Sequence, residues 1–148
     1  MSRSARGSCA AYGSPRSHQF RIRLLFALLA AAPFSIHAKG IVTDGGTATT
    51  VSTAANGHQT VNLAPAFAGV SNNTYSSFSV DTAGASLNNV GINARTIVNQ
   101  VTSTNPSVIS GRIDVLGSRA NVILANPNGI TVNGGSFVNT GRLALSTG

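Results

Sequence analysis

Few residues in this 148-residue chain could carry acid–base, nucleophilic or metal chemistry. After Ala38 there is one histidine, His58, and there are three carboxylates, Asp44, Asp81 and Asp114. General acid–base catalysis needs titratable groups within reach of one another, and nothing in the spacing of these four brings them together. His58 lies in Asn56-Gly57-His58-Gln59, a turn sequence, and is expected to be a surface loop residue. Asp114 alternates with Ile113 and Val115 beside Arg112 and reads as a solvated or paired surface charge. No His/Cys/Asp group has metal-ligand spacing, and Gly45-Gly46 and Gly134-Gly135 precede neither a lysine nor a helix, so they read as turns rather than phosphate cradles. Asn72-Asn73-Thr74 is a formal glycosylation sequon that matters only on a eukaryotic secretory route. The sequence therefore offers no catalytic residue, no metal ligand and no cofactor site.

The strongest local pattern is a corner. Val122-Ile123-Leu124 is a β-rich run, Asn126-Pro127-Asn128-Gly129 follows as a dense turn signal, and Ile130-Thr131-Val132 resumes the β-branched pattern. Pro127 fixes φ near −65° and suits the second position of a turn, while Asn128-Gly129 tolerates positive φ. Asn126, Pro127, Asn128, Gly129 and Ile130 thus make a strand–corner–strand unit.

Charge and leader bound the class. The net charge of +7 suggests nucleic-acid binding, but five of the ten basic residues (Arg3, Arg6, Arg16, Arg21, Arg23) precede the first apolar run. From Lys39 onward five basic residues face three acids, a net of +2, so no nucleic-acid partner is expected. Residues 1–38 read as a signal peptide with an extended basic n-region, an apolar stretch from Leu24 to Ala32, and cleavage after Ala38 in Ile36-His37-Ala38. The apolar stretch is too short for a stable bilayer span. Cys9 lies upstream of it, which leaves residues 39–148 without cysteine; their stability must come from backbone pairing and packing.

Residues 39–148 hold fourteen Asn and fourteen Gly, with no sustained helical periodicity. Short β-branched runs alternate with Asn/Gly/Ser/Thr punctuation. The strands expected are 41–42, 49–53, 60–63, 78–81, 96–101, 108–116, 121–125, 130–132, 136–138 and 142–145. Turn signals at 8 to 12 residues fit a sandwich or a solenoid. Similarity between Ser110–Gly117 and Thr140–Thr147 leans towards the solenoid, with Asn and Gly at its corners. The last segment, Leu143 to Gly148, reads as a rung without a polar cap, as expected of the front part of something longer.

Four stretches resemble the N-terminal two-partner secretion (TPS) domain of filamentous haemagglutinin, haemolysin and CdiA-like exoproteins. They are Gly69 to Val80, Asn93 to Val101 followed by Asn105-Pro106-Ser107, Gly111 to Ile130, and Phe137 to Leu145. Asn126 to Ile130 carry the most specific motif, and Asn93, Ala94, Arg95 and Asn99 mark a secondary family segment. One departure is clear: the family's Asn-Pro-Asn-Leu turn is replaced by Leu87-Asn88-Asn89-Val90-Gly91-Ile92, without the proline, as in a shortened loop. The resemblance implies an all-β, right-handed parallel β-helix with N-terminal cap strands. It also implies export by the Sec machinery, then recognition by the POTRA domains of an outer-membrane β-barrel partner. Folding outside the cell would follow, with delivery to the medium or the cell surface. On this reading the Asn126–Ile130 corner is either a transporter signal or purely structural. Two other functions stay open: a stand-alone adhesin for glycans or host cells, and, against the poverty of acids, a β-helix polysaccharide-acting enzyme. Host-cell or glycan contacts of a longer protein would lie beyond Gly148.

Overall fold

The computed structural model describes residues 40–148; the leader, Ala38 and Lys39 lie outside the described residues. Alternation in burial shows how the local sequence makes the architecture. In β4 (Val70–Phe78) Ser71, Asn73 and Tyr75 point inward, and in β6 (Thr96–Val101) Ile97, Asn99 and Val101 do. In β9 (Ala120–Ala125) the inward residues are Ala120, Val122 and Leu124. Beyond the cap, strands pair with their counterparts in the neighbouring turns of the chain.

Three sheets result. The first has the order β1 (Ile41–Thr43), β4, β6, β9, β12 (Thr140–Ser146), parallel throughout except for the antiparallel β1–β4 pair. The second runs β2 (Thr50–Thr53), β3 (Gln59–Asn62), β5 (Ala85–Asn88), β8 (Arg112–Leu116), β11 (Ser136–Val138), with only β2–β3 antiparallel. A short third sheet pairs β7 (Ser107–Ile109) with β10 (Ile130–Val132). This is a β-solenoid of about four turns, all-β among the described residues, closed at its N-terminal end by the antiparallel cap strands.

Registers stack inward-facing residues in columns. Ser71, Ile97, Val122 and Leu143 form one column, and Asn73, Asn99, Leu124 and Leu145 the next. On the second sheet Val61, Leu87 and Val115 align. Tyr75 and Phe78 meet edge to face at 5.0 Å between ring centres. Each fully buried Leu, Ile or Val contributes roughly 1.5–3 kcal/mol. The ion pair between Arg112 and Asp114 spans 3.8 Å with Arg112 62% exposed, and such pairs are worth about 0–1 kcal/mol. Apolar columns, not charges, hold coil on coil.

Several expected elements move. The run from Val108 to Leu116 is two strands, because the chain turns a corner at Ser110-Gly111; a Cβ on Gly111 would overlap the Asp81 carbonyl oxygen. The strand expected at 78–81 is the end of β4 followed by a single bridge from Val80 to Ile109. Its polar body, Ser-Asn-Asn-Thr, hid the strand from a reading based on apolar runs. β5 was not expected at all: Ala85 and Leu87 alternate inward in a segment of only four residues, read from the sequence as loop. The turn after it needs no proline, since buried Asn89 accepts from the Ala94 amide (2.9 Å) and donates to the carbonyls of Ala94 (3.0 Å) and Ser118 (2.9 Å).

Two side chains tie the cap down. The Gln59 amide acts as a surrogate strand for β1, with Ile41 N donating to Oε1 (2.7 Å) and Nε2 donating to Ile41 O (3.1 Å). The Asp44 carboxylate accepts from Thr102 Oγ1 (2.6 Å), Thr74 Oγ1 (2.6 Å) and the Gly46 amide (2.8 Å). Those donors hold its pKa below the ordinary carboxylate value, the Thr102 hydroxyl first among them. A depressed folded-state pKa gives stability that is present above the unfolded value of about 3.9 and is lost as pH falls through the folded one. Asp44→Asn is therefore expected to unfold at lower urea than wild type at pH 7, with the gap closing towards pH 2. A constant gap across that range would show that the carboxylate charge is irrelevant to the clamp.

Candidate functional site: the stacked corner

The Asn126–Ile130 corner leaves β9 and enters β10, and it is built around a side chain with no exposure. Asn126 is fully buried. Its Nδ2 donates to Asn105 O (2.9 Å) and Ser107 Oγ (2.9 Å), and its Oδ1 accepts from Asn128 N (3.0 Å) and Asn128 Nδ2 (2.9 Å). Its backbone is engaged as well: N donates to Ser146 O (2.8 Å), and Gly129 N donates to its carbonyl (3.1 Å). Gly129 sits at φ 110°, a conformation closed to side-chain-bearing residues, so Gly is required by the backbone alone. Pro127 and Asn128 are exposed; Gly129 and Ile130 are half-buried.

This corner rests on another. Asn128 Nδ2 donates to Ser103 O (2.6 Å), and Ser107 N donates to Gly129 O (3.0 Å). One coil earlier, Asn105 Nδ2 (2.9 Å) and Ser103 Oγ (2.5 Å) both donate to Ser76 O. The motif is thus the top of a column of three corners joined by side-chain hydrogen bonds. Ser76, Ser103, Asn105 and Ser107 were not marked as site residues from the sequence. The available signal was the echo of Asn105-Pro106 in Asn126-Pro127.

The secondary segment is elsewhere. Asn93, Ala94 and Arg95 precede β6 and lie at the starting end of the first sheet, whereas Asn126 follows β9 at its finishing end. Six strand residues, about 20 Å, separate the two ends. Asn93 takes φ 54° and its Oδ1 accepts from Ser118 Oγ (3.1 Å); Ala94 is buried in the Asn89 turn. Arg95 is exposed and lies over Gly69. Asn99 is internal: Oδ1 accepts from Tyr75 OH (2.9 Å) and Nδ2 donates to Ile123 O (3.2 Å). Burial pushes the Tyr75 phenol above its ordinary pKa, so it stays a donor. The motif segments make two separate corners and a core stitch, not one pocket.

His58 departs from its expected place. It is half-buried, with Nδ1 donating to Ala83 O (2.9 Å) and Nε2 2.9 Å from Ser86 Oγ, which donates to Asp114 Oδ1 (2.9 Å). These contacts reach 25 to 28 residues along the chain, beyond any local reading. A cleft of about 450 Å³ opens beside His58, Gly84, Ser86, Arg112 and Asp114. The three side chains are those of a nucleophilic triad in the wrong order. In a triad the imidazole stands between hydroxyl and carboxylate; here the hydroxyl stands between, and Ser86 is only 5% exposed. The arrangement stitches three coils together.

Residues 39–148 match the family described as the TPS secretion domain. The chain belongs to that family. It is 40% identical over 146 residues to the tRNA nuclease CdiA-2 of Burkholderia pseudomallei, covering 82% of this chain and 5% of that protein. It is 37% identical over 147 residues to the filamentous hemagglutinin of Bordetella pertussis (84% and 4%) and 36% over 141 residues to the hemolysin of Serratia marcescens (82% and 9%). A crystal structure of a filamentous hemagglutinin secretion domain superposes with TM-score 0.67 at 36% identity, over 74% of this chain and 43% of that one. The chain therefore spans under a tenth of these curated relatives. One segment shared by proteins named for three different activities is a poor seat for any one of those activities; as a TPS domain it serves secretion.

The corner geometry separates its two asparagines. Asn126→Ala strands the Asn105 carbonyl, the Ser107 hydroxyl and the Asn128 amide in or near the core, a loss of roughly 2–3 kcal/mol. Asn128→Ala removes one exposed and one part-buried bond, while the backbone amide at that position still donates to Asn126 Oδ1, and should cost under about 1 kcal/mol. Urea unfolding of both variants checks this, and equal losses would contradict the assignment.

Proposed function

We propose that this TPS domain is the export and folding-nucleation element of a large bacterial exoprotein of the adhesin, haemagglutinin or contact-dependent inhibition type. Residues 1–38 direct Sec export and are removed after Ala38. The POTRA domains of an outer-membrane β-barrel transporter take up the domain in the periplasm, the chain crosses unfolded, and coils form outside from the N-terminal cap onward. The observation that carries this reading is the coil-by-coil stitching of a cysteine-free solenoid within a TPS family member. Each coil needs only the previous one as template, and no disulfide has to be reopened before passage.

Within that function the corner divides its work. Asn126 and Gly129 hold the bend, while Pro127 and Asn128 present the surface that the transporter reads. Co-expression with the cognate transporter gives the test. Asn128→Ala and Pro127→Ala are expected to reduce the amount in the medium several-fold while circular dichroism and urea midpoints of the purified variants match wild type. Wild-type secretion of both variants assigns the corner to structure alone. Release that continues without any transporter overturns the export reading as a whole. N-terminal sequencing of secreted protein should begin at Lys39.

A further inference from the structure

The starting end of the first sheet gathers three arginines, none of them in an ion pair among the described residues. Arg95 immediately precedes β6, Arg119 immediately precedes β9, and Arg142 lies in β12, the next coil. Backbone contacts fix them in sequence: Asn121 N donates to Arg95 O (2.9 Å), and Arg119 Nη2 reaches the Thr140 carbonyl (3.2 Å). All three are exposed. The ion pair found among the described residues uses Arg112, on the second sheet. The acids are elsewhere. Asp44 is held by Thr74 and Thr102 at the finishing end of the first sheet, Asp81 lies beyond β4 against Gly111, and Asp114 is on β8. Adjacent coils are about 4.8 Å apart at the backbone, and Arg95, Arg119 and Arg142 follow one another on successive coils.

A hairpin carrying an exposed aromatic residue adjoins this column through its backbone. Phe67 N donates to Val70 O (2.9 Å) and Val70 N to Phe67 O (3.0 Å), closing a two-residue turn with Ala68 at φ 52° and Gly69 at φ 82°. These are the signs of a rigid type I′ hairpin. Phe67 is 87% exposed, the most exposed large apolar residue described. Gly69 binds it to the column, since Gly69 O accepts from the amides of Arg95 (2.8 Å) and Thr96 (3.1 Å) and the Arg95 guanidinium lies over its Cα.

We propose that Phe67, Arg95, Arg119 and Arg142 form a docking edge for an anionic phospholipid surface. The guanidinium forks meet headgroup phosphates, whose geometry they match, and the ring enters the acyl boundary. The two components favour this occupant over a soluble polyanion. Phosphates alone would satisfy the arginines, but only a lipid interface also offers an apolar layer to the ring beside them. The assignment stands independently of what the transporter reads at Asn126–Ile130, which lies at the opposite end of the sheet.

The leader has its own basic and apolar stretches, so bulk vesicle sedimentation would not isolate this edge. Phe67→Trp introduces the one tryptophan of the chain and reports locally. With phosphatidylglycerol vesicles its emission should shift to the blue and be quenched by acyl-brominated lipid; with phosphatidylcholine vesicles it should not move. In the Phe67→Trp background, Arg119→Gln with Arg142→Gln should weaken partitioning about fivefold per arginine. This pair avoids Arg95, whose packing on Gly69 could affect folding, and circular dichroism checks that the fold persists. An unmoved tryptophan overturns the proposal, as does a shift that survives loss of the arginines. Heparin binding by this edge without any vesicle response also overturns it, reassigning the edge to a soluble polyanion.

Discussion

Everything in this solenoid depends on one constraint: a parallel coil leaves the amides and carbonyls of its outer edge without partners until the next coil arrives. Backbone ladders meet most of that demand. Buried amide side chains add to them, both inside the sheets and at the corners. Asn73 donates to Val98 O, Asn99 to Ile123 O, Asn89 to Ser118 O and Asn126 to Asn105 O, each joining neighbouring coils. An unsatisfied buried polar group costs about 1–3 kcal/mol. A set of such stitches therefore weighs as heavily as the apolar columns beside it, and it fixes register where Val and Ile alone would permit slippage.

The same constraint explains what could be read from the sequence. The β class and most strands from β6 onward follow from β-branched runs and Asn/Gly punctuation, which are local properties; the solenoid comes from the similarity of Ser110–Gly117 to Thr140–Thr147 and from the family resemblance. The long β4 was missed because its inward face is Ser71, Asn73 and Tyr75, polar by composition yet buried by stitching. β5 was missed because four residues carry too little periodicity. The Asn126 corner was legible as a turn, but its burial was not: the partners Asn105 and Ser107 lie 21 and 19 residues back, and nothing in the motif itself announces them. His58 misled for the same reason. Its neighbours in sequence are turn formers, while its partners Ala83 and Ser86 belong to the next coil.

Asparagine richness thereby acquires a physical meaning. An amide is the one uncharged side-chain group that offers both donor and acceptor in the plane of a peptide, so it substitutes for a missing strand at low desolvation cost. Gln59 does this at the edge of β1 and Asn126 at the corner. A carboxylate in the same place would bury a charge, and a hydroxyl could not span the gap. The low charge of residues 39–148 reflects a core that cannot hold ionised groups, and the charged side chains among the described residues lie outside it.

The span of these contacts also orders assembly. Most stitches reach 19 to 29 residues, one coil, so a coil can close as soon as its predecessor exists. The cap is different. Gln59 reaches 18 residues back to Ile41, but Asp44 reaches 30 residues on to Thr74 and 58 on to Thr102. The antiparallel cap strands therefore reach their final state only after the second coil is in place. A chain emerging N-terminus first meets this condition once residues through Thr102 are available, and the coil of β7, β8 and β9 with its Asn126 corner is added to that closed nucleus. Loop-closure cost rises only slowly with length, so the late Asp44 contact is affordable once and does not need repeating in later coils. Every coil after it inherits a template already fixed in register, so propagation needs nothing beyond the sequence of the coil itself.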